Sequence, residues 1–473
     1  MNGLNDSENR NLNLARLRPV RVLLHWRGFP YVFQAAALLI FVGLAVLAWG
    51  DYAPAGVNAK LYAKSHLATL LIWGIWWPGM VWTAVLFGRA WCMVCPMELA
   101  SNLSERVAKS LGIKQLILRP WVTSGVLIVV LYALIQFLVA GAHINRVPAY
   151  TSLFLIGLLS MAVLTGLIFK NRAFCRGFCP VGLLLGTYGR GGMLAVRPGS
   201  KEACRNCTGK DCLAERNRHK ADARSCPSLL NPSTLDSNRD CLVCGQCIKS
   251  CPSDNMQLLL RPPFHSTAVE RHASWPVTIF VMLVSGFVTW ELCAEWPKAE
   301  ELFLTVPGLI NQSLGVSRLA GFIDAFWAMV IFPLSIWSLM GLGKWCFGKS
   351  ANLGEFWRQT ALPVATVVSA GHMSKGVAKF VTWGGFLPYA LKDTNGSQTA
   401  TGISRGILPM PTELLSLPAV AVVASTLIGL SVFLASREAK TLKTDAGYRV
   451  LLIKAAFAAS FLIIILAHAV LGN

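Results

Sequence analysis

Residues 66–96 read HLATLLIWGIWWPGMVWTAVLFGRAWCMVCP. The apolar run is about as long as the roughly 20 residues that cross a bilayer, and it leads directly into two cysteines, the second followed by proline. Residues 149–180, AYTSLFLIGLLSMAVLTGLIFKNRAFCRGFCP, have the same arrangement of Arg-Ala-aromatic-Cys followed by Cys-Pro. An internal repeat of this kind is typical of membrane proteins built from a two-fold related pair of helical hairpins.

The composition agrees with a membrane protein. Of 473 residues, 54% are hydrophobic and 14% are charged, whereas a soluble domain has about 25% charged residues. This excludes an ordinary cytosolic enzyme, a disordered chain and a secreted disulfide scaffold. We predict nine membrane spans, at about 31–50, 66–88, 121–141, 149–169, 275–293, 322–343, 359–391, 414–435 and 450–470.

The net charge of +20 predicts an orientation rather than a nucleic-acid partner. If the N-terminus is cytoplasmic, the inside loops other than 170–274 contain 17 lysines and arginines and the outside loops contain 7. This asymmetry is the positive-inside pattern. We therefore expect the N-terminus and segment 170–274 inside, the C-terminus outside, and membrane lipid rather than nucleic acid around the protein.

A strong metal-binding motif lies within that inside segment. Cys241, Cys244, Cys247 and Cys251 have the spacing C-x2-C-x2-C-x3-C-P. In two-cluster ferredoxins the first three thiolates of this motif hold one [4Fe–4S] cluster, and the fourth binds the neighbouring cluster. A four-thiolate zinc site is the alternative, but it usually consists of two separated C-x2-C pairs.

A second, looser set of cysteines precedes this motif and also ends in Cys-Pro. It consists of Cys204, Cys207, Cys212 and Cys226. With exchanged fourth ligands, we predict one cluster on Cys204, Cys207, Cys212 and Cys251, and the other on Cys241, Cys244, Cys247 and Cys226. Structural zinc or free thiols remain the alternative for the looser set.

The two repeated pairs could supply a third site. Cys92 and Cys95 follow the second span, and Cys175 and Cys179 follow the fourth. Convergence of both pairs at the pseudo-two-fold axis would give four thiolates for a shared iron–sulfur cluster. Redox-active dithiols and reduced structural thiols are the alternatives. For the two remaining cysteines, Cys293 and Cys346, we expect buried free thiols.

Ionisable residues inside predicted spans are costly and need a partner or a function. His372, Lys375 and Lys379 share one helical face of 359–391 and could contact haem propionates or a quinone head group. A helix bent near Pro363, with the lysines reaching the lipid head groups, is the other interpretation. His66 and His468 are candidate axial ligands of a b-type haem, and Glu291 is a candidate proton acceptor.

The cysteine motifs together resemble those of the polyferredoxin-type membrane proteins of the NapH, MauN and NosR C-terminal kind. The resemblance covers roughly residues 25–270 and includes Cys92, Cys95, Cys175, Cys179 and the eight ferredoxin cysteines. It implies a bacterial inner-membrane protein that relays electrons between the quinone pool and a periplasmic oxidoreductase or its cytochrome c. The resemblance does not extend to residues 275–473.

The sequence thus predicts an all-α polytopic membrane protein with an inserted small α+β two-cluster ferredoxin-like domain. The predicted parts are a basic N-terminus (1–30), a four-helix module (31–170), the ferredoxin-like domain (171–273) and a five-helix module (274–473). We expect an electron-transfer component of a quinone-linked complex. The alternatives are a CcoG-like metal-reducing assembly factor and a cluster-gated redox sensor or transporter.

Overall fold

The computed structural model describes residues 12–263, 273–315, 317–346, 352–439 and 444–471, and most of them are helical. Six helices are long and apolar enough to cross a membrane. They are Leu67–Phe87, Pro148–Ile168, Trp275–Cys293, Ala320–Leu342, Leu417–Leu434 and Leu452–Leu471. The chain therefore has the helices of an integral membrane protein, as its composition predicts.

The other three predicted spans are not among these six helices, and each shows a local feature that bears on its length or continuity. Tyr31–Leu47 has 17 residues, and Gly50, with a φ of +76°, follows its end. The predicted span 121–141 is interrupted at Gly125, which has a φ of +100°, so the apolar helix is Val126–Gly141. The predicted span 359–391 forms Leu353–Gly384, a helix of 32 residues that contains Pro363. Nine spans therefore stay a prediction.

Shorter helices connect or flank these segments. The α-helices are Arg18–His25, Ala59–Ser65, Trp91–Val94, Pro96–Ser110, Pro120–Thr123, Gly182–Gly189, Lys201–Arg205, Gln246–Lys249, Pro297–Phe303, Thr305–Leu314, Leu387–Lys392 and Ser397–Ser404. The helices Leu417–Ala439 and Thr444–Leu471 include two of the apolar segments, and Phe332–Cys346 includes the last part of a third. The 3-10 turns are Leu14–Arg16, Glu215–Asn217, Pro232–Thr234 and Ser317–Leu319. Three π-helical segments are Leu70–Trp76, Phe174–Phe178 and Trp327–Ile331.

One small antiparallel sheet contains all the strands among the described residues. Its strands are β1 (Leu12–Asn13), β2 (Leu194–Pro198) and β3 (Met256–Leu260), in the order β1-β3-β2. In register, Leu194 of β2 and Leu12 of β1 both lie opposite Leu260. The N-terminal segment thus contributes an edge strand beside two strands from the predicted ferredoxin-like region.

Two compact units make up the chain. The first, here called the cysteine-rich unit, comprises Met1–Phe41, Thr83–Leu127 and Leu158–Glu270. The second, here called the apolar-helix unit, comprises Val42–Trp82, Ile128–Gly157 and Arg271–Asn473. All twelve cysteines of the predicted metal sites belong to the cysteine-rich unit.

The core of the cysteine-rich unit forms around the sheet. Leu24 and Phe29 of the N-terminal segment pack with Val196 of β2 and Leu258 of β3. Cys241, Val243 and Ile248 belong to the same cluster of buried side chains. The four-cysteine run is therefore built into the core rather than onto an exposed loop.

The apolar-helix unit depends on close helix packing. A Cβ atom on Gly286 would lie 2.0 Å from the carbonyl oxygen of Ala328, so only glycine permits this approach between two backbones. Nearby, the fully buried Trp337 donates its indole N–H to Ser285 Oγ at 3.2 Å. Small residues and satisfied polar groups at such contacts are typical of membrane helix bundles.

Candidate metal centres

The four-cysteine run has a backbone that turns its N–H groups towards sulfur. Val243 and Gly245 have φ values of +55° and +68°, and the positive φ is uncommon for a β-branched residue such as valine. In this conformation the backbone N–H groups of Val243 and Gln246 hydrogen-bond the sulfurs of Cys241 and Cys244. Concave runs of backbone N–H groups bind anions, including iron–sulfur clusters.

Cys226 joins this run from a distant part of the sequence. Cys226, Cys241, Cys244 and Cys247 line one small cavity together with apolar side chains such as Val196 and Leu230. Burial, and then the neighbouring Cys226, raises the pKa of Cys244 to about 12. Burial, followed by the electrostatic influence of Cys244, Cys241 and Cys226, also holds the pKa of Cys247 well above its usual value.

A second set of four thiols forms around Cys212. Its pKa is raised to about 11, first by burial and then by Cys251, Cys204 and Cys207. Asn255 connects two members of the set: its backbone N–H donates to Cys251 Sγ at 3.3 Å and its side-chain amide donates to Cys204 Sγ at 3.2 Å. The structure therefore brings Cys251 to the upstream cysteines and Cys226 to the downstream run.

The repeated pairs form a third set. Burial, then Cys92, Cys175 and Cys179, holds the pKa of Cys95 well above its usual value. Burial, then Cys175 and Cys92, raises the pKa of Cys179 to about 12. Cys95, Cys175 and Cys179 also pack against one apolar cluster that includes Phe174. The two pairs thus face each other despite their different spacing.

The two repeats share their backbone geometry as well as their sequence. Gly88 and Asn171, each four residues before the first cysteine of a pair, have φ values of +72° and +69°. Cys95 and Cys179 have extended backbones before Pro96 and Pro180, as the residue before a proline prefers. Equivalent turns therefore direct equivalent cysteines towards the same place.

An arginine from each repeat lies beside these thiols. The side chain of Arg89 is 9% exposed and forms a hydrogen bond with Cys92. The neighbouring Cys179 also helps to raise the pKa of this guanidinium group. Arg172 is 6% exposed and is influenced electrostatically by Cys175, Cys92 and Cys244. Arg89 Nε and Arg172 Nη2 are buried and have no hydrogen-bond partner among the described residues. Buried donors without acceptors indicate that an anionic group belongs here.

Glu98 pairs with two of the buried guanidinium groups, and no local sequence pattern indicates this role. Arg224 Nη2 donates to Glu98 Oε1 at 2.8 Å, and Arg172 Nε lies 3.2 Å from the same oxygen. Gln34 donates to the other carboxylate oxygen at 2.7 Å. Burial alone would raise the pKa of Glu98, but the two arginines lower it to about 2. The network holds two cations against one carboxylate.

The predicted haem or quinone contacts have interactions within the protein. His66 is fully buried, its Nε2 lies 3.2 Å from Asp51 Oδ2, and its Nδ1 accepts from the backbone N–H of Ala68 at 3.2 Å. Both of its ring nitrogens thus have partners at the start of a helix. His372 lies between the rings of Trp77 and Phe287, at centroid distances of 6.3 and 6.2 Å.

The two lysines of that helix are partnered within the protein. Lys375 is 9% exposed and pairs with Glu295, and its Nζ lies 3.5 Å from Glu291 Oε2. Lys379 Nζ lies 5.2 Å from the centre of the Trp383 ring. His468 stacks on Trp296 with ring centroids 6.2 Å apart. Cys293 is buried, as predicted from the sequence, whereas the side chain of Cys346 lies outside the described residues.

The three four-thiol sets fit [4Fe–4S] clusters in donor chemistry. All twelve are free cysteines, and a raised pKa means that a buried thiol loses its proton only when a cation replaces it. N–H donors and buried arginines suit the negative charge of thiolate-bound iron and sulfide. In the described residues, no three His, Cys, Asp or Glu side chains are close enough to hold a single metal ion.

Comparison with known proteins identifies the repeated segments. The family model for the 4Fe-4S binding domain matches residues 69–114 and 151–198. Each match contains one apolar helix and one cysteine pair, so the family match follows the internal repeat. No solved structure matches the chain.

Three curated relatives are ferredoxin-type proteins. The ferredoxin-type protein NapH of Haemophilus influenzae is 24% identical over 177 residues, which cover 36% of this chain and 61% of the relative. NapH of Escherichia coli is 26% identical over 191 residues, covering 37% of this chain and 62% of the relative.

The third relative is the methylamine utilization ferredoxin-type protein MauN of Methylorubrum extorquens. It is 27% identical over 135 residues, covering 26% of this chain and 46% of the relative. The chain thus spans between about half and two thirds of the length of these relatives. The resemblance inferred from the cysteine motifs is confirmed: the 4Fe-4S family match and the ferredoxin-type relatives support a polyferredoxin-type protein.

Proposed function

We propose that this chain is an iron–sulfur electron-transfer subunit of a bacterial inner membrane. It relays electrons between the quinone pool or a cytoplasmic donor and a periplasmic oxidoreductase or cytochrome. The observation that carries the proposal is the gathering of twelve cysteines into three sets of four within one unit. The relatives named as ferredoxin-type proteins support an electron-transfer role.

The proposed ligands follow these sets. Cys204, Cys207, Cys212 and Cys251 hold one [4Fe–4S] cluster, and Cys226, Cys241, Cys244 and Cys247 hold another. Cys92, Cys95, Cys175 and Cys179 hold a third. When bound, such clusters supply one-electron carriers whose potentials depend on charge, hydrogen bonds and solvent exposure.

The protein's own residues set those conditions. The N–H groups of Asn255 donate to Cys204 and Cys251. The buried side chains of Arg172 and Arg224 place positive charge near Cys244. Because apolar side chains surround the cavity of the four-cysteine run, water is largely kept from it. The N–H donors and the arginines stabilise a negatively charged, electron-accepting centre, and apolar surroundings strengthen these interactions.

The positive-inside charge pattern supports a cytoplasmic location for the cysteine-rich segment 170–274. We expect an added cysteine at an exposed position of this segment, such as Arg205→Cys, to react with a membrane-impermeant maleimide only after the membrane is opened. Labelling of intact spheroplasts would contradict the proposed orientation.

Electron relay is tested in proteoliposomes containing the anaerobically purified protein. Added quinol should bleach the visible absorbance of the clusters, and a soluble cytochrome c or an artificial acceptor should restore it over many cycles. The matched control is the double variant Cys175→Ser/Cys179→Ser, which keeps the other eight cysteines and should lose or slow this cycle. A fully loaded protein that undergoes no repeated cycle would contradict the relay.

A further inference from the structure

A cavity of about 220 Å³ lies in the apolar-helix unit. Residues of the helices Trp275–Cys293, Leu353–Gly384, Leu417–Ala439 and Thr444–Leu471 line it. Aliphatic side chains such as Val420 and Ile464 form most of its wall. For comparison, an apolar cavity of about 150 Å³ holds a benzene molecule, so this cavity accommodates a substituted six-membered ring.

The polar part of the wall consists mainly of two carboxylates and a histidine. Glu295 and Glu413 line the cavity together with His468. His468 Nδ1 is buried and has no hydrogen-bond partner in the described part of the chain. The imidazole is oriented by Trp296, on which it stacks with an angle of 28° between the ring planes. The cavity therefore offers a positioned hydrogen-bonding atom that the protein leaves unused.

Glu295 belongs to an ion network in which Lys375 contacts two carboxylates. Lys375 pairs with Glu295, lies 3.5 Å from the carboxylate of Glu291, and donates to the Glu291 carbonyl oxygen at 2.8 Å. One ammonium group thus serves two carboxylates. A network of this composition is suited to a ligand that carries hydroxyl protons, because a carboxylate accepts hydrogen bonds from them.

We propose that this cavity binds the ring of a lipid-soluble quinone or quinol, with His468 Nδ1 hydrogen-bonded to a ring oxygen and Glu295 near the ring. The inference rests on the proposed electron relay, to which it adds the place where the quinone binds. A pocket with an apolar wall and a few convergent polar groups is the usual form of a small-molecule site.

The chemistry of the wall favours a quinone over two other occupants. A lipid acyl chain has no hydrogen-bonding atom and would leave His468 Nδ1 unpaired, at a cost for each buried polar group. A haem is several times larger than a quinone ring and exceeds the volume of the cavity. A quinone ring fills the apolar space and pairs with the polar atoms.

Binding is tested with the purified full-length protein in detergent, using menadione and decylubiquinone as probes and tryptophan fluorescence as the signal. Ala421 lines the cavity, whereas its neighbour Val422 is 66% exposed. We expect Ala421→Phe to abolish binding and the matched control Val422→Phe to leave the dissociation constant unchanged. His468→Ala should weaken binding about tenfold, which is the value of one hydrogen bond of ordinary strength.

Three outcomes distinguish the possibilities. If all variants bind both probes as the unmodified protein does, the quinone site is elsewhere and the inference fails. If menadione, which has no long tail, does not bind while phospholipid competes with decylubiquinone, the cavity is a lipid groove and the inference also fails. Iron and sulfide are measured on the same samples, so loss of the clusters with quinone binding retained contradicts only the proposed relay.

Discussion

The two units contain ion networks in which the shared partner has opposite charge. In the cysteine-rich unit one carboxylate, Glu98, holds Arg172 and Arg224. In the apolar-helix unit one ammonium, Lys375, holds Glu291 and Glu295. A surplus of buried charge is expensive unless another group of opposite charge or hydrogen-bonding character faces it.

The surroundings of the two networks provide such groups. The surplus positive charge lies beside thiols that become negative when they bind iron. In the apolar-helix unit, the carboxylates of Glu295 and Glu413 line a cavity that suits a ligand with hydroxyl protons. The comparison teaches that the charge lining a site indicates the kind of group that the site takes up.

The largest expected effect comes from removing a ligand in the cysteine-rich unit. Cys244→Ser should remove one cluster, because a hard serine oxygen does not replace a soft thiolate ligand of iron well. We expect a loss of about four irons and four sulfides out of about twelve of each. Cys293→Ser, in the apolar-helix unit, is the matched control and should leave the iron content unchanged. Equal iron contents in both variants would remove the distinction between the units.

Removal of the shared cation should destabilise the apolar-helix unit. Lys375→Met leaves Glu291 and Glu295 without their ion-pair partner. Because these carboxylates are 29% and 33% exposed, we expect a loss smaller than the roughly 3–5 kcal/mol of a fully buried pair. Thermal unfolding followed by circular dichroism should show a lower Tm, with iron content per folded protein unchanged. Lys379→Met removes a cation that lies over the Trp383 ring and farther from these carboxylates, and should have a smaller effect. Similar losses for both lysines would contradict the proposed importance of the network.

Charge changes in the network of the cysteine-rich unit should shift reduction potentials in opposite directions. Arg172→Gln removes positive charge and should lower the midpoint potential of the nearest cluster, on the order of 50–100 mV. Glu98→Gln removes negative charge and should raise it. Potentiometric titration monitored by paramagnetic resonance measures both shifts. Shifts of the same sign would show that the arginines act through packing rather than through charge.

The smallest expected effect comes from a single N–H···S contact. Asn255→Ala removes the side-chain donor to Cys204, and we expect the potential of that cluster to fall by about 20–40 mV. Asn58→Ala removes only the cap of the helix Ala59–Ser65 and should leave every potential unchanged. An unchanged potential in Asn255→Ala would mean that this hydrogen bond does not tune the cluster.

Local patterns in the sequence predicted the features that depend on neighbouring residues. Spacing grouped Cys241, Cys244 and Cys247, and the Cys-Pro endings paired the two halves of the repeat. The exchange of Cys226 and Cys251 followed from the same tandem pattern, and the structure places both residues accordingly. Ligation itself stays a prediction, as do haem and the nine spans.

Contacts between residues that are far apart in the sequence have no local pattern from which they could be predicted. Gln34, Glu98 and Arg224 meet through side chains that belong to no common motif. The pairing of Leu12 with Leu260 joins residues from opposite ends of the cysteine-rich unit. A bend near Pro363 was one of two interpretations of the sequence, and in the structure the helix Leu353–Gly384 continues through Pro363 before the next helix, Leu387–Lys392. Tertiary packing, which a single sequence does not display, determines each of these.

The most direct test of the account is the iron and acid-labile sulfide content of the anaerobically purified protein, with paramagnetic resonance after reduction by dithionite. Three sets of four thiolates predict about twelve irons and twelve sulfides per chain, with overlapping signals from reduced [4Fe–4S] clusters. A colourless protein that contains zinc and gives no signal after reduction would contradict it.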